Sequence, residues 1–166
     1  GPLILTAFST GARQAELFGL EWDSVDLRAG TIRIAQEATD VAGKVIVKSP
    51  KSQAGIRTIS LTDRVIDSLI DQRQRLVKEG LASCSLVFPA KQGGHVRRGT
   101  FRTRVWSPLL SSLDIAHRGF HHVRHTYATA QIAAGVPLPT LSKILGHAKV
   151  STTLDIYSHA MPDHQS

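Results

Sequence analysis

The amino-acid sequence predicts one α+β domain over residues 1–166, mostly helical with a small three-stranded antiparallel sheet. Apolar residues recur at helical spacing near the start, over residues 62–80 and through the last third, whereas β-branched residues alternate or cluster only between 31 and 61. With 166 residues, 42% of them hydrophobic, the chain can bury one core, and no internal repeat, linker or low-complexity tract divides it.

The elements follow in order. LILTAFSTGARQAELFGLEW reads as two short helices broken at Gly11, with Leu17 and Leu20 a turn apart and Arg13 just past the break. DSVDLRAGTIRIAQEA carries a turn into alternating Ile32 and Ile34, KVIVKSP supplies a second β-branched segment, and IRTISL alternates again through Ile59 and Leu61. KSPKSQAGIR, with Pro50 and Gly55, is expected as a polar hairpin loop between the last two strands. In TDRVIDSLIDQRQRLVKEG, Val65, Leu69 and Leu76 mark the apolar side of a helix, and Asp63, Asp67 and Asp71 a solvated face. After the basic loop VFPAKQGGHVRRG, TFRTRVWSPLLSSLDI is expected to be helical on both sides of Pro108, with Phe101 and Trp106 as core anchors. HHVRHTYATAQIAAG and LPTLSKILG end at Gly135 and Gly146, and Ser151 is placed to cap STTLDIYSHAM. Within the first of these, Val123, Tyr127, Ala130 and Ala134 form an apolar stripe, and His121 and Arg124 share another side.

Charge narrows the function. Twenty Lys and Arg against 13 Asp and Glu give a formal charge of +7 and a pI near 10.1, which favours a polyanionic partner, nucleic acid first. Arg97, Arg98, Arg102 and Arg104 are candidate phosphate contacts. Cys84 stands alone, so the chain closes no disulfide on itself and builds no cysteine-based zinc site, and a reducing compartment fits. No apolar run approaches a membrane span and no signal segment is evident. The apolar run already under way at Leu3 reads as a fragment of something longer. His121 and His125 lie one turn apart, but without the intervening glutamate of a zincin, and a metal nuclease is a minor alternative. A further alternative is a non-enzymatic helix-turn-helix reader in AAGVPLPTLSKILG, although Thr140, Ser142 and Lys143 are poor base readers. No role is assigned to His122 or His95.

Five segments together resemble the catalytic domain of the tyrosine recombinases, the phage integrase family. TGARQAELFGLEW resembles the family's first arginine box and offers Arg13; PKSQAGIRTISL its lysine segment, offering Lys51; FHHVRHTYAT its His-x-x-Arg box, with His121 and Arg124; LGH the box of His147; and STTLDIYSH the nucleophile segment, with Tyr157. The resemblance implies an integrase-like, DNA breaking–rejoining fold and cleavage of double-stranded DNA at a specific site through a 3′-phosphotyrosine, without metal, ATP or other cofactor. It further implies a homo-tetramer on DNA, an isolated fragment that is monomeric, and a cytoplasmic setting in a prokaryote, phage or mobile element.

The residue types suit that chemistry. A phosphodiester under attack gains negative charge, which the forked guanidinium groups of Arg13 and Arg124 match in bidentate fashion, with a hydrogen bond from His147. Tyrosine, with a reference pKa of ~10, needs cations nearby and a base, His121, to become a nucleophile. Lys51 is the expected general acid for the leaving 5′ oxygen, buried beside the arginines, with Lys48 as fallback donor and DNA contact. Glu16 matches an acidic family position and is expected to orient Arg13, and His125 is expected to be a buried structural residue. Ala15 departs from the family's usual glycine or serine. The N-terminal helical domain usual in the family has no counterpart in these residues, and nine residues follow Tyr157.

Overall fold

Helix α1 (Pro2–Thr10) ends where Gly11 adopts the left-handed conformation, φ 63° and ψ 15°, and its N–H donates to the Ala7 carbonyl. The chain restarts from extended Arg13 into α2 (Gln14–Phe18), so the break expected at Gly11 is present. The computed structural model describes residues 1–157, with side chains described as far as residue 154.

A three-stranded antiparallel sheet is present, but its membership differs from the expectation. Strands β1 (Val25–Asp26), β2 (Thr31–Ile34) and β5 (Arg57–Ser60) form it in the order β1-β2-β5, with Ile32 opposite Ile59 and Ile34 opposite Arg57. KVIVK does not join this sheet. As β4 (Lys44–Lys48) it pairs with β3 (Glu37–Val41) in a separate two-stranded hairpin. The turn at Ala42 and Gly43 has φ of 48° and 79°, the mirror-image turn that suits strand twist. KSPKSQAGIR is therefore a connection between two sheets rather than a hairpin loop, and it contains a 3₁₀ turn at Gln53–Gly55.

Helix α3 (Asp63–Lys78) buries Val65, Leu69 and Leu76 and leaves Asp63, Asp67 and Asp71 exposed, as its periodicity predicts. Gln72 on the same buried side donates to the Val87 carbonyl at 2.8 Å. Helix α4 (Arg98–Phe101) passes through a π-helical turn, Arg102–Trp106, into α5 (Ser107–Ser112), and Pro108 lies near this junction inside the continuous helical run. Phe101 and Trp106 are core residues: Phe18, Phe101, Phe120 and Trp106 form a chain of edge-to-face rings with centroids 4.9–5.4 Å apart.

The last third holds α6 (His121–Ala133), α7 (Leu138–Leu145) and α8 (Val150–Tyr157). In α6 the buried residues are Val123, which joins the main core, and Tyr127 and Ala128, which pack with α7; the predicted stripe members Ala130 and Ala134 are exposed. Helix α8 starts one residue ahead of the expected Ser151 cap. A main core gathers α1, α2, α3, one face of the larger sheet (Ile32, Ile34 and Ile59) and the aromatic chain, and a smaller cluster of Tyr127, Ala128, Leu141 and Leu145 holds α6 to α7. Among the described residues, no helix is long and apolar enough to cross a membrane.

The Tyr127 ring packs directly against Gly11, where a Cβ would overlap it. Gly11→Ala is expected to cost about 1–2 kcal/mol from the left-handed backbone alone, and more from this overlap. A urea titration followed by tryptophan fluorescence measures the change; an unaltered midpoint contradicts the packing.

Candidate active site

Glu16 is the centre of a buried cluster. Its side chain is 1% exposed, and four donors converge on it: the Arg13 backbone N–H at 2.6 Å and Nη1 at 2.9 Å, and Arg57 Nη1 and Nη2, both at 2.9 Å. Burial alone would raise the Glu16 pKa. The Arg57 hydrogen bonds and charge, then those of Arg13, outweigh it and hold the carboxyl below its ordinary value. Glu16 thus orients Arg13, as expected, and leaves the Arg13 side chain 40% exposed towards an incoming ligand.

Arg124 approaches from α6. It donates to the Gly11 carbonyl at 2.8 Å and the Leu145 carbonyl at 2.5 Å, and its Nη2 lies 2.9 Å from His147 Nε2. One side chain thereby joins the α1–α2 break, which carries Arg13, to the end of α7. His147 follows left-handed Gly146, φ 70°, and its backbone N–H closes on the Ser142 carbonyl. A guanidinium can only donate, so His147 Nε2 accepts and Nδ1 carries the ring proton, donating to Thr153 Oγ1 at 2.9 Å. Burial, followed by the charges of Arg124, Arg13 and Arg57, lowers the His147 pKa to about 4 against a smaller opposing effect of Glu16; the ring is neutral at pH 7.

The first turn of α6 carries three imidazoles. His121 is exposed, its ring centroid 4.2 Å from that of His122 and 5.7 Å from that of His125. Its pKa is lowered by burial, His122 and Arg98, which favours the neutral, proton-accepting form. His125 is only half-buried, against the burial expected of it, since its ring lies against His121 and His122 rather than inside the core. His122 donates from Nδ1 to the Gly119 carbonyl and His95 from Nδ1 to that of Phe18, each at 3.1 Å, which gives both a local structural contact.

Other candidates lie apart. Lys51 is exposed on the β4–β5 connection, not buried beside the arginines, because that segment is a linker between sheets. The connection nonetheless abuts the His147 corner: a Cβ on Gly146 would stand 3.0 Å from the Ala54 carbonyl. Lys48 pairs with Glu37 at 3.4 Å. Arg97, Arg98, Arg102 and Arg104 are all exposed, and Arg97 and Arg104 line a groove of about 760 Å³ floored by Ile4, Phe88 and Phe101 that contains none of the clustered residues. Of the three candidate base readers on α7, Ser142 is buried, which weakens the helix-turn-helix alternative. Tyr157 ends α8, and its side chain lies outside the described residues. Among the described residues, no group of three or more His, Cys, Asp or Glu is arranged to hold a metal ion.

Two arginines flank one histidine at a helix corner, in the chain order of the five boxes, and the phage integrase family model matches residues 2–164. The chain belongs to the phage integrase family. It is 32% identical to a tyrosine recombinase XerC-like protein of Caldanaerobacter subterraneus subsp. tengcongensis, across 99% of this chain and 46% of the relative, and 26% identical to the ICEBs1 integrase of Bacillus subtilis, across 96% and 44%. The chain spans about half the length of the curated relatives it matches. The Tn1549 transposon integrase, solved with circular intermediate DNA, superposes with a TM-score of 0.75 at 26% identity, over 98% of this chain and 56% of that one.

Two residues of this integrase-family cluster escape the motif reading. Thr153 is fully buried and holds the His147 ring. Arg57 carried a legible signal: it shares the core-facing parity of β5 with Ile59, and a charged residue on a core face needs a buried partner.

Glu16→Ala leaves the Arg57 charge buried without its carboxylate and is expected to cost about 3–5 kcal/mol, read as a drop in the urea midpoint. His147, whose folded pKa is depressed, contributes stability that is full above its unfolded value near 6.5 and lost progressively as pH falls towards 4. Glu16, also depressed, adds loss below the ordinary carboxyl value of 4.5. Stability should therefore fall from pH 7 to pH 4, with a shallower slope between 6.5 and 4 in His147→Asn; equal slopes contradict the neutral, buried ring.

Proposed function

We propose that this domain is the catalytic part of a site-specific recombinase that cuts and rejoins double-stranded DNA through a covalent 3′-phosphotyrosine, without metal or ATP. The observation that carries the reading is the Arg124–His147 contact at 2.9 Å beside the Glu16-oriented Arg13. These are cations and a neutral imidazole gathered in one corner, with one carboxylate among the described residues, already held by arginines. That composition suits a phosphodiester whose non-bridging oxygens gain charge during attack.

Arg13 and Arg124 grip the non-bridging oxygens; once Arg124 turns to the phosphate, the His147 ring proton moves to Nε2, the Thr153 hydroxyl donating to Nδ1 in its place, and Nε2–H donates to the phosphate. Tyr157 is the nucleophile. Support for it comes from Thr153, one helical turn earlier on α8, which meets His147 and so ties that helix to the corner. As the Tyr157 oxygen bonds phosphorus, its proton passes to His121, the neutral base one turn before Arg124. The phosphorus–5′ oxygen bond breaks, and the oxygen takes a proton from Lys51, brought in from the exposed connection when DNA binds. Attack by another 5′ hydroxyl on the phosphotyrosine reverses the steps and joins a new strand. The exposed Arg97, Arg98, Arg102 and Arg104 and Lys48 contact the duplex backbone. The working unit is a homo-tetramer on DNA, with these residues as the catalytic domain of a longer protein and the isolated chain a monomer in the cytoplasm. The relative solved with circular intermediate DNA supports the substrate class.

A nicked duplex selected by binding from a randomised pool tests this. The expected product is a covalent protein–DNA adduct that maps to Tyr157 by mass spectrometry, forms fully in EDTA, and is absent from Tyr157→Phe with binding retained. Arg13→Ala and Arg124→Ala should each slow adduct formation by on the order of 100-fold or more. An adduct elsewhere, or cleavage that EDTA abolishes, overturns the reading.

A further inference from the structure

We infer that Arg57, which lies within the lysine segment but is given no role by it, is a positioning residue that sets Arg13, His147 and the Lys51 connection relative to one another, an inference that rests on the recombinase reading above. Its side chain is 7% exposed and every polar branch is used across elements. Nη1 and Nη2 fork onto Glu16, which in turn holds Arg13; Nε donates to the Ile144 carbonyl at 2.6 Å; and Nη1 also reaches the Gly55 carbonyl at 3.0 Å.

Each contact has a separate consequence. Ile144 is in the last turn of α7, where carbonyls lack helical partners, so Arg57 closes that end immediately before Gly146 and His147. Gly55 ends the 3₁₀ turn that follows Lys51, so the same guanidinium fixes the base of the connection from which Lys51 is presented. A Cβ at Gly146 would stand 2.9 Å from Arg57 Nη1; glycine there serves the left-handed corner and admits the guanidinium at once. Strand β5 makes the anchor rigid, because Arg57 pairs with Ile34 in the register that also buries Ile59 against Ile32. A lysine carries the charge but not the planar fork, and cannot bridge carboxylate and two carbonyls in this geometry.

The test is Arg57→Lys in the full chain. Folding, by thermal unfolding, should persist, and DNA affinity by anisotropy should stay within about threefold, while single-turnover adduct formation falls by roughly 30-fold or more. In an Arg13→Ala background the same substitution should cost at least about threefold less than in the unaltered chain, because the part of its effect that acts through Arg13 is already lost while the parts through His147 and the Lys51 connection remain. Multiplicative losses, or a rate within threefold of the unaltered chain, overturn the inference. In the free protein the ¹⁵N resonances of Arg13 Nε and the His147 ring should both shift in Arg57→Lys; unmoved resonances overturn it whether or not the chain cleaves DNA. Absence of any adduct from the unaltered chain is instead failure of the recombinase reading. If Arg57→Lys does not fold, Arg57→Gly with ethylguanidinium replaces it: recovery of the fold without recovery of the native Arg13 and His147 resonances counts against positioning.

Discussion

The Glu16–Arg57 ion pair is the constraint on which the rest of the site hangs. Both side chains are almost fully buried, and two parallel hydrogen bonds of 2.9 Å join them. Taking both charges out of water carries a large desolvation cost, offset only by this geometry and by the further donors and acceptors that complete both groups. The pair joins α2 to β5 and, through the Ile144 carbonyl, to α7. Three elements far apart in sequence are therefore registered by one guanidinium rather than by apolar contact, which tolerates slippage more readily than a fork does.

The surroundings of the pair are electrically unbalanced. Arg124 is held by the backbone carbonyls of Gly11 and Leu145, dipoles that orient the cation. His147, pressed by three guanidinium charges and by burial, stays neutral and accepts from one of them. Among the described residues the corner sets one carboxylate, Glu16, against Arg13, Arg57 and Arg124, a surplus of positive charge in a partly dry setting where each charge acts strongly. Such a surplus costs stability in the free protein and is relieved by an anion. On the proposed reading, phosphate binding and folding stability draw on the same charges.

Legibility in the sequence followed the physics of each segment. Helix α3 was readable because period alone fixes which side of a long helix is buried, and the Gly11 and Gly146 breaks because left-handed corners select glycine. The partner of KVIVK was not readable: Glu37–Val41 has little intrinsic preference for a strand and becomes one through pairing, and the Ala42–Gly43 turn lacks the asparagine or aspartate that advertises a mirror-image turn. That misassignment carried over to Lys51, expected as buried on a hairpin and found exposed on a linker. The boxes named Arg13, His121, Arg124 and His147 because spacing and residue type were enough. They passed over Arg57 and Thr153, whose roles exist only after distant elements meet.

The Arg124–Gly11 hydrogen bond joins residues 113 positions apart. Loop closure over such a span is slow and is rewarded only once most of the core has formed. During synthesis Arg13 leaves the ribosome long before Arg124 exists, and α7, which supplies the Leu145 carbonyl and His147, comes later still. A truncated or nascent chain thus holds each cation separately and none in register. On the proposed reading, competence to attack a DNA backbone waits for completion of the fold, so unfinished copies would leave nearby DNA uncut.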